Sequence, residues 1–256
     1  MNYITILDYT MKFIDFIRMA RIQLFRILAF SDSSLFLPET AIIIAPHPDD
    51  EVFGCCGLMQ RMLAEGKCVE LVIMTGGGKS HSVCCDIDEE TLICNRQQLT
   101  RNAAAIYGLG EEHIHFLNYP DNGVSFAHEQ TKALTRVLNE RTNRNTVVFY
   151  PHLAGEGWSD HIRTSEIARN LCAFICPDAM QYEYCVWFWF YNCWKIDWKN
   201  AFTLKLSKQE YDKKRKAIDA YIEPKAPCGK PWSGVLPSVF LWANKWNREL
   251  YFKRKR

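Results

Sequence analysis

The sequence has no apolar run long enough to cross a bilayer, because charged residues interrupt every hydrophobic stretch within residues 1–40. The same interruptions are incompatible with the layout of a secretory signal peptide. We therefore expect no membrane-spanning segment. The interrupting residues are Asp8, Lys12, Asp15, Arg18, Arg21 and Arg26.

Cysteine pairs with metal-binding or redox spacing are also missing. The eleven cysteines include no C-x-x-C pair, and their number is odd. Cys172 and Cys176 lie within apolar runs, where cysteine usually behaves as a small buried hydrophobe. This usage favours reduced thiols and a reducing compartment, with the cytoplasm the best match.

A large net charge is absent as well. The chain carries 31 basic and 29 acidic residues and a net charge of +2, so composition gives no indication of a nucleic-acid partner. Two short segments are locally basic, "KKRK" at 213–216 and the final "YFKRKR", and we interpret both as solvated. With 256 residues, 48% of them hydrophobic, one large α/β domain is expected, and the sequence does not indicate an oligomeric state.

Residues 1–40 are predicted to form an amphipathic helical segment that precedes a single domain over residues 41–256. Two interpretations remain open: the helix docks on the core of its own protein, or its basic face attaches it to an anionic membrane surface, such as the inner face of the cytoplasmic membrane. One half of the helical wheel is apolar, with Phe13, Phe16, Ile17, Ala20, Leu24, Ile27 and Leu28.

From residue 41 onward, short β-rich runs alternate with longer helical stretches. Strands are predicted at 41–45, 69–75, 113–117 and 146–151, and helices at about 53–65, 89–107, 128–141 and 160–176. This alternation predicts an α/β fold with a Rossmann-like, mostly parallel, doubly wound sheet.

An aromatic-rich extension follows residue 180. The segment 182–194 is predicted to be an aromatic strand, and a helix is predicted over 207–224 because Ser207 and Glu210 have capping-box spacing and Pro224 ends it. The final stretch, 238–252, is expected to be helical.

The segment "APHPDDE" places one histidine and three carboxylates directly after the first predicted strand. In an open α/β sheet, ligands bind where loops leave the carboxyl ends of the strands. Pro48 disfavours helical backbone at His47, so His47 and Asp50 can point into one crevice with Asp49 beside them. An imidazole and a carboxylate supply two ligands for zinc or a similar divalent ion.

A third ligand is expected from "YPHLAGEGWSDHIRT", which follows the fourth predicted strand and contains His152, Glu156, Asp160 and His161. Two histidines and one carboxylate leave coordination positions open, as a catalytic metal requires. Each residue alone is more often a hydrogen-bonded structural group. Together they favour a metal, because burying so many carboxylates without a counter-ion costs several kcal/mol.

The motifs "APHPDDE" and "SDH" resemble the two signatures of the LmbE/PIG-L family of zinc-dependent N-acetylglucosaminide deacetylases, and the resemblance covers most of residues 41–163. It implies that His47, Asp50 and His161 bind Zn²⁺ or another divalent metal and that Asp49 is the general base. It also implies a Rossmann-like domain, in agreement with the strand and helix pattern.

Weaker correspondences follow from the same resemblance. Asp121 and Arg96 match positions that contact substrate in the family, although a turn residue and a surface cation are equally consistent with the sequence. The family's second motif commonly reads His-x-Asp-His, whereas Trp158 takes the place of its first histidine here. The resemblance leaves that oxyanion-stabilising role without an obvious residue. Three interpretations stay open: His152 fills it, the metal and backbone donors suffice, or the enzyme is slow or altered in substrate. Asp160, which in the family orients that histidine, is carried over as a catalytic residue.

The implied reaction removes the acetyl group from an N-acetylglucosamine-containing conjugate, a small-molecule or lipid-linked amino sugar, and releases acetate and a free amine. Trp158 and Trp232 are the aromatic residues expected to contact the sugar. Two alternatives stay open: a non-catalytic carbohydrate- or lipid-binding protein of the same fold, and a hydrolase of another amide or of a phosphoester.

Overall fold

The computed structural model describes residues 3–29, 37–82, 86–143, 145–191, 194 and 196–254, with side chains in the first helix described from residue 12 onward. Seven helices are described: α1 Tyr3–Leu28, α2 Asp50–Ala64, α3 Glu89–Tyr107, α4 Gln130–Arg141, α5 Ser159–Ile175, α6 Lys208–Ile222 and α7 Ser238–Asn244. The strands are β1 Thr40–Ala45, β2 Cys68–Thr75, β3 Ile114–Tyr119, β4 Thr146–Pro151, β5 Met180–Tyr184, β6 Ala201–Lys205 and β7 Arg248–Lys253.

The strands form one sheet in the order β3-β2-β1-β4-β5-β7-β6. Strands β1 to β5 pair in parallel, and β7 pairs antiparallel with both β5 and β6. The predicted α/β fold with a mostly parallel sheet is therefore confirmed. The strand order reverses between β1 and β4, and a crevice for ligands opens at the carboxyl ends of strands at such a point.

Alternation along the parallel strands builds a core on each face of the sheet. In β1, Ala41 and Ile43 belong to the core that includes residues of α2, α3 and α6, while Ile42 and Ile44 belong to the core that includes residues of α4 and α5. Because successive side chains point to opposite faces, a strand covered on both sides must be apolar throughout, as "AIIIA" is. The two layers hold the strand ends, and hence the loops that leave them, in fixed positions.

The aromatic segment forms a strand only at its start. β5 ends at Tyr184, and a 3₁₀ turn follows at Trp187–Trp189. The backbone amides of Val186 and Trp187 donate to the carboxylate of Glu156, each over 2.8 Å. Those donors are therefore not available to a neighbouring strand, and the prediction of one strand over 182–194 is wrong for residues 185–191. Residues 192 and 193 of that prediction lie outside the described residues.

The final stretch contains a helix and then a strand, so the prediction of a helix over 238–252 is wrong in its second half. α7 ends at Asn244, and residues 248–253 add β7 between β5 and β6. Apolar burial on both sides of β7 favours the extended form: Tyr251 belongs to the core that includes α2, whereas Leu250 and Phe252 belong to a third cluster with α1 and α7. The predicted helix at 207–224 is confirmed as α6, with its Ser207–Glu210 capping box.

Helix α1 docks on the protein through a side that combines apolar and basic residues. Ile22 and Phe25 are buried in the third cluster, and the guanidinium of Arg21 donates to the carbonyl oxygens of Trp189 and Tyr191. Two residues of the basic side also contact the protein: the guanidinium of Arg26 donates to the carbonyl oxygen of Ala243 over 3.0 Å, and that of Arg18 lies 4.0 Å from the ring centroid of Phe190. Among the described side chains of the helix, eight large apolar ones are exposed: Phe13, Ile14, Phe16, Ile17, Met19, Leu24, Ile27 and Leu28.

Among the described helices, none combines the length and apolar character needed to cross a bilayer. The described cysteines at 55, 56, 68, 94, 172, 176 and 185 are free thiols. Cys228, in contrast, is disulfide-bonded, and the expectation of reduced thiols is wrong for it. This cysteine lies in the turn-rich segment after α6, outside the apolar runs on which that expectation was based.

The basic segment at 213–216 is not uniformly solvated. Lys214 is buried, and its Nζ atom lies 2.8 Å from both the carboxylate of Glu249 and the carbonyl oxygen of Phe53. The amides of Gly57 and Leu58 also donate to Glu249, so this carboxylate joins α2, α6 and β7. The interpretation of "KKRK" as a solvated face is therefore wrong at Lys214, whose position is set by the buried acceptor on β7.

Candidate metal centre

The turn after β1 is held in a conformation that side chains rarely adopt. Asp49 has φ 111° and ψ −29°, in the region of positive φ that disfavours residues with a Cβ atom. Its amide donates to the carboxylate of Glu51 over 3.0 Å, and that carboxylate also accepts a 2.6 Å hydrogen bond from the hydroxyl of buried Tyr221. Glu51, the last acid of "HPDDE", therefore stabilises the turn, and α2 begins directly after it at Asp50.

One carboxylate oxygen of Asp50 lies at the centre of the site. Oδ2 of Asp50 is 3.3 Å from Nδ1 of His47 and 3.2 Å from Nε2 of His161. His47 leaves the end of β1, whereas His161 lies in the first turn of α5, after the loop that follows β4. The switch point of the sheet thus brings together three groups from the two motifs, and their ligand atoms all lie within 4.8 Å of one another.

Both histidines are oriented by carboxylates on their other ring nitrogen. Nδ1 of His161 lies 3.0 Å from Oε2 of Glu156. Nε2 of His47 lies 3.3 Å from Oδ1 of Asp121 and 3.4 Å from Oδ2 of Asp160. Metal-binding histidines commonly donate their second N–H to a carboxylate in this way, which fixes the ring and its tautomer.

A second set of three groups, His47, Asp121 and Asp160, also has its ligand atoms within 4.8 Å. Its carboxylates accept backbone amides, from Lys79 to Asp121 over 2.9 Å and from Asn122 to Asp160 over 2.7 Å, but Oδ2 of Asp50 likewise accepts the amide of His47 over 2.9 Å. Backbone contacts therefore do not distinguish the two sets. Nε2 of His161, by comparison, is buried and makes no hydrogen bond, although it lies beside Asp50. An unpaired imidazole nitrogen aimed at a carboxylate oxygen fits a cation between them, so the first set fits a divalent metal better.

The electrostatics of the site are dominated by buried acids. Although burial alone lowers the pKa of His161, the carboxylates of Asp50 and Glu156 raise it to about 9. Although burial opposes this, His161 and His47 hold the pKa of Asp50 below its usual range. Burial raises the pKa of Asp49 well above its usual value, and the charge of Asp50 adds to the effect. Such a concentration of carboxylates favours a cation.

Asp49 projects beside the three-group set, next to the buried guanidinium of Arg96. Nη2 of Arg96 lies 3.8 Å from Oδ2 of Asp49 and donates to the carbonyl oxygen of Pro48 over 2.9 Å. Nη1 donates to the carbonyl oxygen of Gly77 over 3.2 Å. Arg96 therefore connects the loops after β1 and β2, and it supplies a positive charge beside Asp49.

These groups line a cavity of about 250 Å³. Trp158, directly before α5, is 45% exposed, and its ring meets those of Trp187 and Tyr191 edge to face. Asp121, Arg96 and Asp49 share the cavity, and further lining residues include Lys79, Ser80, Asn122, Ser233, Leu236 and Phe240. The cavity is therefore acidic near the imidazoles and partly aromatic elsewhere.

Two residues expected in the site are not among the described residues that line this cavity: His152 and Trp232. The amide of His152 donates to the carbonyl oxygen of Tyr184, and its ring packs against Phe188 and Phe252, so the expected oxyanion contact of His152 is not supported. Burial lowers the pKa of His152 to about 4. Trp232 packs against the main core, while its neighbour Ser233 reaches the cavity.

Glu156 is the residue whose role the sequence did not indicate. It stood among the acids after β4, but only the structure shows that its carboxylate accepts three backbone amides, of Val186, Trp187 and Phe188, while contacting His161. The flanking glycines in "AGEGW" were the available signal, because a loop that folds closely around a buried carboxylate has little room for side chains. An added Cβ at Gly155 would lie 2.3 Å from the ring of Phe188.

Comparison with known proteins adds a family match. A model of the family described as GlcNAc-PI de-N-acetylase (PIG-L) matches residues 42–172. The diacetylchitobiose deacetylase of Thermococcus kodakarensis is 26% identical over 123 residues, which are 48% of this chain and 45% of that protein. The match therefore spans less than half the length of this curated relative.

Solved structures share the fold. The N,N'-diacetylchitobiose deacetylase of Pyrococcus horikoshii has a TM-score of 0.60 at 23% identity, with 76% of this chain and 74% of that chain covered. The 4-carboxy-2-hydroxymuconate hydratase of Pseudomonas putida has a TM-score of 0.57 at 18% identity, with 71% and 78% covered. Because proteins named for different reactions share this architecture, the fold alone does not select the chemistry.

Proposed function

The chain belongs to the PIG-L family of de-N-acetylases, and from that premise we propose that it is a metal-dependent hydrolase that removes the acetyl group from an N-acetylated amino sugar within a conjugate. The observation that carries the proposal is the convergence of His47, Asp50 and His161 around one point, with Asp49 beside them. A binding protein has no need of a further carboxylate next to a metal site. A hydrolase needs one for proton transfer.

The metal would be held by Nδ1 of His47, one oxygen of Asp50 and Nε2 of His161, and zinc suits these borderline donors. When bound, such an ion lowers the pKa of water and polarises a carbonyl oxygen. The remaining chemistry belongs to the side chains. Glu156 fixes the ring of His161, and Asp121 together with Asp160 fixes the ring of His47.

Asp49 is the proposed general base and acid. Its carboxylate takes a proton from the attacking water and later returns it to the departing amine, so one group serves both halves of the reaction. Arg96 favours the charged form of Asp49 at the start of this cycle, because its guanidinium lies beside the carboxylate. Acetate and a free amine are the products.

The substrate class is proposed from the cavity and the relatives together. The exposed ring of Trp158 offers an apolar face at the cavity, which suits a sugar ring. Asp121 and Arg96 are proposed to position His47 and Asp49, since Asp121 lies 3.3 Å from the ring of His47 and Arg96 lies 3.8 Å from the carboxylate of Asp49, while both also form hydrogen bonds with the backbone. The curated relative is named for diacetylchitobiose, a disaccharide of N-acetylated amino sugars.

The test is acetate release from a panel of N-acetylglucosamine conjugates, diacetylchitobiose included, measured with the purified full chain. We expect release that stops with a chelator and returns when zinc is added back. The Asp49→Asn variant should still bind metal, but its kcat should fall about 10²- to 10⁴-fold. Glu166→Gln, at a partly exposed acid of α5 that pairs with Arg163, is the matched control and should retain activity.

The outcomes separate the rival functions. Binding of the sugars without acetate release would indicate a non-catalytic protein of this fold. If all N-acetylglucosamine conjugates are inert, hydrolysis of a different amide would indicate an amidase of another substrate, and release of phosphate from a phosphoester would indicate a phosphoesterase. Either result would overturn the proposed activity.

We further propose that the exposed apolar stripe of α1 contacts a lipid bilayer surface, as a lipid-linked substrate at the inner face of the cytoplasmic membrane would require. Phe13, Phe16 and Ile27 are each at least 63% exposed, and they lie on the side of the helix opposite buried Ile22 and Phe25. An amphipathic helix with such a stripe lies in the interfacial plane of a bilayer.

Sedimentation with vesicles of phosphatidylcholine and phosphatidylserine tests the lipid proposal. The wild type should sediment, and the double variant Phe16→Ser/Ile27→Ser should remain in solution with unchanged acetate release from a soluble substrate. Phe174→Ser, at an 85% exposed residue of α5, is the control and should still sediment. A wild type that stays in solution, or that dimerises through this helix instead, would rule out the lipid contact.

A further inference from the structure

A second cluster of metal-binding groups lies at the opposite edge of the sheet. It comprises Cys68 and Glu70 at the start of β2 and His113 directly before β3. Parallel strands carry their amino ends to one edge and their carboxyl ends to the other, so this cluster is separated from the candidate metal centre by the length of the strands. The proposed hydrolase chemistry makes no use of it.

We propose that Cys68, Glu70 and His113 bind a second divalent cation, with zinc the best match. Sγ of Cys68 lies 3.6 Å from Oε1 of Glu70, and Nδ1 of His113 lies 3.1 Å from the same oxygen. Tetrahedral zinc holds sulfur at about 2.3 Å and nitrogen or oxygen at about 2.0 Å, which places pairs of ligands about 3.3 to 3.5 Å apart. The sulfur–oxygen separation agrees with that spacing, the nitrogen–oxygen separation is slightly shorter, and all three ligand atoms lie within 4.8 Å of one another.

The identity of the donors supports zinc. A thiolate, an imidazole and a carboxylate form a set that suits zinc better than magnesium or calcium, which prefer oxygen ligands alone. The candidate metal centre at the other edge contains no sulfur ligand, so the two sites differ in chemistry.

The surroundings of Glu70 resemble those of a metal-binding carboxylate. Its side chain is fully buried, although it is charged, and Nε2 of His115 lies 2.7 Å from its second oxygen. His115 therefore orients the carboxylate and leaves the first oxygen directed at Cys68 and His113. Arg141, which is partly exposed, approaches that oxygen within 3.5 Å and is the cation that a metal would displace toward solvent.

Solvent can reach the cluster from one side. His113 is one third exposed and Cys68 is partly exposed, which provides a route for the ion and for a water molecule as a further ligand. Because the three donors come from two neighbouring strand ends, bound metal would link β2 to the entrance of β3. We therefore expect the site to stabilise the sheet and to leave turnover unchanged.

Cobalt spectroscopy tests the site, because a thiolate bound to Co²⁺ gives an intense near-ultraviolet charge-transfer band that nitrogen and oxygen ligands do not. The metal-free full chain is titrated with Co²⁺. We expect the band in the wild type, its loss in Cys68→Ser, and its retention in Cys94→Ser, where an exposed cysteine outside the cluster is removed. His47→Ala should also retain it, since that change affects only the other site.

Zinc content provides an independent measurement. After saturation and gel filtration, the wild type should hold two zinc ions per chain and Cys68→Ser one. Absence of the thiolate band in the wild type, its persistence in Cys68→Ser, or one zinc per chain in both would overturn the second site. Thermal unfolding of each variant, followed by circular dichroism, shows whether a lost metal signal reflects the missing Cys68 thiolate or an unfolded protein. The cobalt and zinc measurements do not depend on whether the protein releases acetate.

Discussion

Oε2 of Glu156 lies 3.0 Å from Nδ1 of His161, and both side chains are fully buried. The acid lies in the loop after β4 and the imidazole in the first turn of α5, five residues later. The carboxylate of Glu156 also accepts hydrogen bonds from the three amides of residues 186–188. One side chain therefore orients His161, the proposed metal ligand, and fixes the turn that contributes Trp187 to the cavity wall.

Glu156→Gln should weaken zinc binding about 10- to 100-fold, because an amide orients the imidazole less strongly than a carboxylate does. Competition with a chelating dye measures the affinity. Glu166→Gln is the control and should bind zinc as the wild type does. Urea unfolding of the metal-free proteins separates the effect on the ligand from the effect on the 186–188 turn. Unchanged zinc affinity in Glu156→Gln would contradict the proposed role.

Trp158→Ala should raise KM about 3- to 10-fold on a sugar conjugate with little change in kcat, because an aromatic contact of about 1 kcal/mol acts on bound substrate in both ground and transition states. Steady-state kinetics give both constants. Trp194→Ala removes a 65% exposed tryptophan that is not among the described residues lining the cavity, and it should leave KM unchanged. A fall in kcat alone would instead indicate that Trp158 acts on the transition state.

Lys214→Met should lower the free energy of unfolding by about 3 to 5 kcal/mol, because it leaves the charge of Glu249 buried without its cation. Denaturant unfolding monitored by tryptophan fluorescence measures the change. Lys216→Met, at an exposed position of the same basic segment, should shift the free energy by less than about 0.5 kcal/mol. Equal changes in the free energy of unfolding for the two substitutions would contradict a stabilising role of the buried Lys214–Glu249 pair.

His152 should make the metal-free protein less stable in acid. Burial lowers its pKa from 6.5 to about 4, so the unfolded chain binds a proton between these values that the folded protein does not. The free energy of unfolding therefore has its full value above pH 6.5 and decreases as the pH falls toward 4, by about 3 kcal/mol in total. Urea unfolding at pH 7 and pH 4.5 should show a smaller acid loss for His152→Leu than for the wild type. Parallel losses in both proteins would exclude His152 as the source.

Local sequence was sufficient for the parallel half of the fold. Runs such as 41–45 and 146–151 are apolar throughout and are separated by helices of ordinary length, and this pattern has few solutions other than a covered parallel sheet. Local signals failed where a distant group decided the conformation. The carboxylate of Glu156 accepts hydrogen bonds from the amides of Val186 and Trp187, which ends β5 at Tyr184. Residues 248–253 form a strand between β5 and β6.

The sequence by itself also determined which residues bear the proposed chemistry, because "HPDDE" and "SDH" follow strand ends that any such sheet brings to one edge. Only the tertiary structure decided how they are used. It directs Glu156 to His161 and Asp121 to His47, removes His152 from the cavity, and gathers Cys68, Glu70 and His113 at the far edge. The physical reason is that strand direction is encoded locally, whereas the partner of a buried polar group depends on loops that are distant in sequence and meet only when the core packs.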